Sequence, residues 1–317
     1  MPQPTSQDVH VDEVLTDLAI SYMQSQDVFI ATKVFPIITV GKQSNKYIVW
    51  DKNDWFRDEA QKRADATESA GSGYRLSQDS YFADVWAFHK DVGSQARANA
   101  DAGINLDSGA VRFVARKILL RQEIQWVTDF FTTGVWAVDY SVPVQWNDVT
   151  SDPIEDFESQ VEIMVTTTGF RPNTAVFGYR AFRRLKNHPD VLARLSYNGG
   201  TAIPAQVTPA MIAAILGLER VFVSQAIKAT NVEGETSAYS FTHGNHVWMG
   251  YVNPSPSREE PSAGYIFAWD YAGYSSTVSV DSFEIRKTKS TRYEGEAAWD
   301  GKVTAADLGV FMPNVVA

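Results

Sequence analysis

The chain contains no cysteine, which excludes disulfides, thiolate metal ligands and a cysteine nucleophile. Histidine is scarce too: His10, His89, His188, His243 and His246 are the full set. Only His243-Gly244-Asn245-His246 brings two together, and its Gly-Asn centre predicts a hairpin turn between strands, not a zinc site with further ligands. Long apolar runs are missing. The longest, Val34-Phe35-Pro36-Ile37-Ile38-Thr39-Val40, is short and broken by proline, well below the ~18 residues of a bilayer crossing. No basic stretch followed by an apolar one opens the chain, so neither a signal peptide nor a membrane partner is expected.

Positive charge is also in deficit, with 28 Lys and Arg against 38 Asp and Glu, a net charge of -10. Nucleic-acid affinity comes largely from clustered Lys and Arg releasing counterions, so stable or sequence-specific DNA or RNA binding is disfavoured.

Catalytic signatures are absent in turn. Gly295 to Gly301-Lys302 has one residue too many for a phosphate loop, and Val303 stands where Ser or Thr must meet magnesium. Gly71-Ser72-Gly73 follows no buried strand, and no G-x-S-x-G pattern occurs. Paired carboxylates for glycoside hydrolysis and Ser-His-Asp catalysis find every ingredient but no diagnostic context. The reading assigns no catalytic residue, no metal and no cofactor. The 9 Trp and 13 Tyr are better explained as core and interface anchors, because large rings bury much area for little entropy.

What is present is 317 residues, 44% hydrophobic and 21% charged, enough for one large domain or two modest ones. Met1 to about Val40 reads as an arm. In it Val11, Val14, Leu15, Leu18 and Tyr22 recur at helical spacing over about Asp12 to Met23, and Phe35 to Val40 reads as extended chain. Lys46 to Trp50 predicts a strand and Tyr81 to Phe88 its return. Between them, Asp51 to Tyr74 carries both charge signs and little apolar content, so it cannot bury enough surface to offset its ordering entropy. A loop of that length is usually functional or disordered. The functional alternative is a protruding hairpin that becomes ordered only against another subunit.

A long helix is predicted from Asp107 to Phe131, capped by Asp107 or Ser108 and ended by Gly134. Val111, Val114 and Ile118 form one stripe; Leu120, Ile124, Val127 and Phe131 form a second, rotated from it. At 1.5 Å per residue its length is roughly 38 Å. Asp152-Pro153-Ile154-Glu155 places a cap, an N1 proline and an N3 glutamate in order, a strong helix start, continued to about Thr168. Thr174 to Gly178 is a short buried strand, followed by helices over Tyr179 to Asn187, Pro189 to Leu195 and, from Thr208-Pro209, to Gly217. Glu219 to Val223 is a strand. From about Thr236 the chain turns β-rich, with candidates at Tyr239–Thr242, His246–Val252, Tyr265–Trp269, Thr277–Arg286 and Thr291–Trp299.

The stretch from Arg171-Pro172-Asn173-Thr174 through Leu185-Lys186-Asn187-His188-Pro189 to Leu195 resembles the major capsid proteins of tailed bacteriophages. Their pattern is a "P-N-t-hydrophobic" strand, a helix and an "L-K-x-H-P" step. Leu216-Gly217-Leu218-Glu219-Arg220-Val221 is similar to that family's "L-G-hydrophobic-E-R-V", and Trp248 to Val252 to the strand entering its terminal β-region. The close match covers about Arg171 to Val252.

The resemblance implies an α+β fold: an arm over 1–43, an extended β-hairpin over 44–92, a peripheral domain with a spine helix over 93–151, an axial domain over 152–265, and a return to the peripheral domain over 266–317. It implies a protomer of hexamers and pentamers in an icosahedral shell around double-stranded DNA, found in the virion and made in the host cytoplasm. Portal and decoration proteins are implied partners. Too little chain precedes the hairpin for a built-in scaffold segment, so a separate scaffolding protein, or a processed chain, is expected. Lys62 could donate a cross-link, but no acceptor or catalytic glutamate matches, so none is expected. The hairpin residues assigned to inter-subunit contact are Trp55, Phe56, Arg57, Asp58, Glu59, Lys62, Arg63, Asp65 and Glu68. The other readings are a tail or decoration protein, or an acidic, aromatic-rich glycoside hydrolase or carbohydrate-binding module.

Overall fold

The computed structural model describes residues 24–50, 52–100, 104–197, 207–256, 260–270 and 278–317; the helix expected over 12–23 lies outside them. In chain order the elements are α1 (Ala31–Val34), β1 (Ile37–Val40), β2 (Ser44–Trp50), α2 (Lys52–Trp55), β3 (Leu76–Phe82), β4 (Asp84–Gly93), α3 (Ser94–Ala98), α4 (Leu106–Phe130), β5 (Val138–Asp139) and α5 (Pro153–Thr168). There follow β6 (Thr174–Gly178), α6 (Tyr179–Leu185), α7 (Pro189–Tyr197), α8 (Pro209–Leu216), β7 (Arg220–Ser224), β8 (Ile227–Ala229), β9 (Tyr239–Phe241), β10 (Val247–Gly250), β11 (Gly264–Trp269), β12 (Ser279–Ile285), β13 (Ser290–Val303) and β14 (Gly309–Met312). No helix among the described residues is long and apolar enough to cross a membrane.

A five-stranded sheet in the order β5-β14-β10-β6-β7 forms a wall between two cores. Strand periodicity of two sends alternate side chains to opposite faces. Ala175, Phe177, Val247, Met249, Val310 and Met312 face one core, with α5, α6 and α8. Val176, Trp248 and Phe311 face the other, with α4. A strand covered on both sides must be apolar throughout, which is why 174–178 and 247–250 are continuously buried.

The second five-stranded sheet is built on β13, which pairs β4 along one edge and β12 and then β11 along the other, with β1 parallel to β11. Helix α4 lies along this rib. A Cβ on Gly295 would lie 2.6 Å from Val114 and 2.9 Å from Ile118, and one on Gly301 2.9 Å from Phe130. Two glycines thus let the helix backbone approach the strand closely.

Several expectations need correction. The cap of α4 is Asn105, whose side chain accepts from the Ser108 amide at 2.9 Å, not Asp107 or Ser108. The helix stops at Phe130, four residues before Gly134. Its buried face is Ala110, Val114, Ile118, Glu123, Trp126 and Phe130, so Ile124 and Val127 are flanking positions and Phe131, though buried, lies past the last helical residue.

The end of the arm is packed into the body. Val34 and Phe35 are fully buried, and Phe35 meets Trp126, Phe130, Trp136 and Trp248 edge-on at 4.8–6.4 Å between ring centres. Residues 31–34 are a helical turn for which no element was expected, and the extended chain expected over Phe35 to Val40 contains β1. The hairpin return is two strands: β3 pairs β2, while β4, past Ala83, belongs to the β13 sheet. The tail does not stay with the β13 sheet either. β14 enters the wall sheet between β5 and β10, and Val315 and Val316 join the α5–α8 core. His243 to His246 is not a hairpin, because β9 pairs β8 whereas β10 pairs β6 and β14.

Candidate assembly surface

The β2–β3 ladder runs from Ser44 opposite Phe82 to Trp50 opposite Leu76. A lone two-stranded ribbon is marginal in water, and here its base is anchored. Tyr81 stacks on Phe267 at 4.6 Å and 9°, and Tyr47 stacks on the same ring at 5.5 Å. The Phe82 amide donates to Asp300 Oδ2 at 2.8 Å and the Ala83 amide to the Gln43 carbonyl at 2.8 Å. Beyond the ladder, Asp54 accepts from the Arg75 amide at 2.8 Å and from its guanidinium. Those bonds hold the Asp54 carboxyl below its usual range.

Residues 56–75 form no helix or strand, and every residue from Trp55 to Ser80 is exposed. Trp55 and Phe56 are 60% and 61% exposed. Of the charges assigned to contact, Arg57 meets Glu59 at 3.9 Å and Arg63 donates to the Thr67 carbonyl; Asp58, Lys62, Asp65 and Glu68 form no ion pair among the described residues. The excursion also touches its own body. Lys52 pairs with Asp307, and the Phe56 ring approaches Gly169. The expectation that it gains order only from another subunit is therefore too strong: the ladder and its tether are internal, while exposed apolar surface remains at Ile48, Leu76 and Phe82 of the ladder and at Trp55, Phe56 and Tyr74 beyond it.

The motif residues turn out to be structural staples. Asn173 donates from Nδ2 to the Val252 carbonyl and accepts the Val252 amide on Oδ1, both at 2.9 Å. Its backbone carbonyl accepts the amides of Glu219 and Arg220. One residue thus ties β6 to the end of β10 through its side chain and to β7 through its backbone. His188 is buried, with Nε2 at 3.1 Å from Ser151 Oγ and Nδ1 at 3.2 Å from Asp190. Gly217 takes φ +65° to close α8, and Thr208 and Asp152 cap α8 and α5 as their sequences predict.

Sequence reasoning missed Glu123 and its histidine. Glu123 Oε2 accepts the amides of Ile30 and Ala31 at 3.0 and 2.9 Å, capping α1 from across the fold. Its other oxygen faces His243 Nε2. Burial pushes Glu123 up to about 7 and His243 down to about 3, both towards the uncharged form. A glutamate flanked by Ile118, Ile124 and Trp126 on a helix face was the available signal.

Among the described residues no three His, Asp or Glu side chains gather as metal ligands. The surface offers exposed apolar area on a tethered hairpin, which suits association with another chain.

No family model matches the sequence. Two curated relatives are named major capsid protein. That of Burkholderia phage BcepMu is 25% identical over 265 residues, 80% of this chain and 82% of the relative. That of Pseudomonas phage JBD67 is 25% identical over 317 residues, 97% of each. Among solved structures, a phage-related protein from Bordetella bronchiseptica RB50 aligns with a TM-score of 0.69 and 24% identity, over 96% of this chain and 97% of that one. The capsid of cyanophage P-SCSP1u aligns with a TM-score of 0.62 and 10% identity, over 96% and 93%. The chain has the α+β fold of tailed-phage capsid proteins.

Proposed function

We propose that this chain is the major capsid protein of a tailed bacteriophage, a structural subunit that self-assembles into a shell around double-stranded DNA. The observation that carries this reading is the match to a major capsid protein along 97% of both chains, joined to a fold shared with phage capsids from end to end. Head-to-tail contacts closing into rings of five and six are the way identical subunits build such a shell.

The hairpin supplies one of these contacts, its tip over a neighbouring subunit. Trp55 and Phe56 dominate: covering their exposed area is worth about 3 kcal/mol each in gross terms, whereas each exposed ion pair from Arg57, Asp58, Glu59, Lys62, Arg63, Asp65 or Glu68 adds about 0–1 kcal/mol. A separate scaffolding protein, a portal and decoration proteins complete the assembly. The role is geometric and not catalytic, and the mature location is the virion.

Expression of the full chain followed by sedimentation and negative-stain microscopy tests this. Rings or closed shells are expected. A chain that remains a monomer at every concentration, with or without the scaffolding protein, would overturn the reading.

A further inference from the structure

Most arginines of this chain that form ion pairs end on a carboxylate held in place: Arg292 on Asp91, Arg97 on Asp107, Arg75 on Asp54, Arg194 on Glu158. The outer face of α4 is built differently. Lys90 of β4 and Lys117 both lie over the Phe113 ring, at 5.1 and 5.4 Å from its centre, and the Arg121 guanidinium lies over Trp86 at 4.2 Å. Arg112 lies on another side of the helix, roughly 140° round from Lys117, and donates to Ser108 Oγ. None of these four cations forms an ion pair among the described residues. Arg121 is bridged to Asp129 by Gln125, and its charge is also felt by the Asp129 carboxyl.

The difference has a physical consequence. A carboxylate partner neutralises a cation, while an aromatic ring fixes its position and leaves its charge uncompensated. Phe113, Lys117 and Arg121 are spaced four residues apart, so they rise in one line along the helix at about 6 Å per step. A chain with a net charge of -10 therefore concentrates positive charge along one exposed helix face. The opposite face of the sheet beneath is acidic. Asp91, Glu294, Glu296 and Asp281 share it by strand register, on the side away from Phe88 and Gly295.

We propose that the α4 face carrying Lys117 and Arg121, with Lys90 beside it, contacts the phosphate backbone of the enclosed DNA, without reading its sequence, and so faces the lumen of the shell. This rests on the capsid reading above. Phosphate is favoured over the acidic sheet face of a second copy, because Asp91 on that face is already satisfied by Arg292 at 2.7 and 2.9 Å. Binding of this kind depends on few contacts and on salt, which suits a lining that must release its cargo.

The test uses unassembled full-length subunits and a labelled random-sequence DNA duplex, with affinity followed by fluorescence anisotropy over a sodium chloride series. Each phosphate contact contributes about 0.9 to the slope of log K against log salt, so the triple variant K90Q/K117Q/R121Q should lose about 3 from it. The charge-preserving K90R/K117R/R121K should retain the slope, which separates lost charge from lost folding. A triple variant that binds as the wild type does overturns the inference. So does one that loses ring or shell formation while its DNA binding is unchanged, since the face would then join subunits. Wild-type subunits that never assemble sink the capsid reading itself, a distinct outcome.

Discussion

Glu123 Oε1 lies 3.7 Å from His243 Nε2, with both side chains fully enclosed. The spacing is that of an ion pair, yet burial drives each partner towards its neutral form. The contact links α4 to the loop before β10, while the second Glu123 oxygen holds the turn at Ile30 and Ala31. One carboxyl therefore joins the N-terminal strap, the long helix and the wall sheet.

The pair gives stability two opposed pH dependences. Glu123 is raised from 4.5 to about 7 on folding, so its contribution is complete below 4.5 and is lost as pH rises through 7. His243 is lowered from 6.5 to about 3, so its contribution is complete above 6.5 and is lost as pH falls towards 3. The two shifts correspond to roughly 3 kcal/mol for Glu123 and roughly 5 kcal/mol for His243. Thermal unfolding of the subunit should be level between 4.5 and 6.5 and fall away on both sides. E123Q keeps the acceptor for both amides and should remove the alkaline decline; a variant in which that decline persists would rule Glu123 out as its source.

Phe35 is the pin of the strap, packed among Trp126, Phe130, Trp136 and Trp248. Phe35→Ala should cost about 3–5 kcal/mol in denaturant unfolding. A loss below about 1 kcal/mol would show that the strap is dispensable.

The hairpin tip separates folding from assembly. W55S/F56S removes two mostly exposed rings, whose neighbours within the subunit include Tyr74 and Gly169, so unfolding should shift by no more than about 1 kcal/mol. Shells and rings should disappear from negative-stain images. Normal particles from this variant would contradict the neighbour contact.

Asn173 makes two buried hydrogen bonds to Val252. Asn173→Ala leaves the Val252 amide unpaired, while Arg220 still donates to the Val252 carbonyl at 3.3 Å, so a destabilisation of about 1–3 kcal/mol is expected by chemical denaturation. An unchanged midpoint would mean that water replaces the side chain without cost.

Much of the architecture could be read from local chemistry. Asp152-Pro153 opens α5, Thr208-Pro209 opens α8, and Gly217 closes it, because caps and turns depend on residues within one helical turn. The strand at Thr174–Gly178 was read to the residue, since a short apolar run bounded by a turn and a glycine has few other solutions. The polar stretch after Trp50 announced an excursion through its composition alone. The resemblance around Asn173, His188 and Gly217 was visible as a pattern, but the reason for those residues was not: Asn173 is tied to Val252, which lies 79 residues on.

The sequence by itself determined the elements, the hairpin and the family likeness, because each rests on neighbours a few positions apart. Only the tertiary structure decided which side of α4 is buried, that Phe35 is core and not arm, that β14 enters the wall sheet, and that Glu123 meets His243. Those outcomes turn on contacts between distant segments, where burial area and the pairing of enclosed polar groups are set by how whole layers pack. No local preference carries that information.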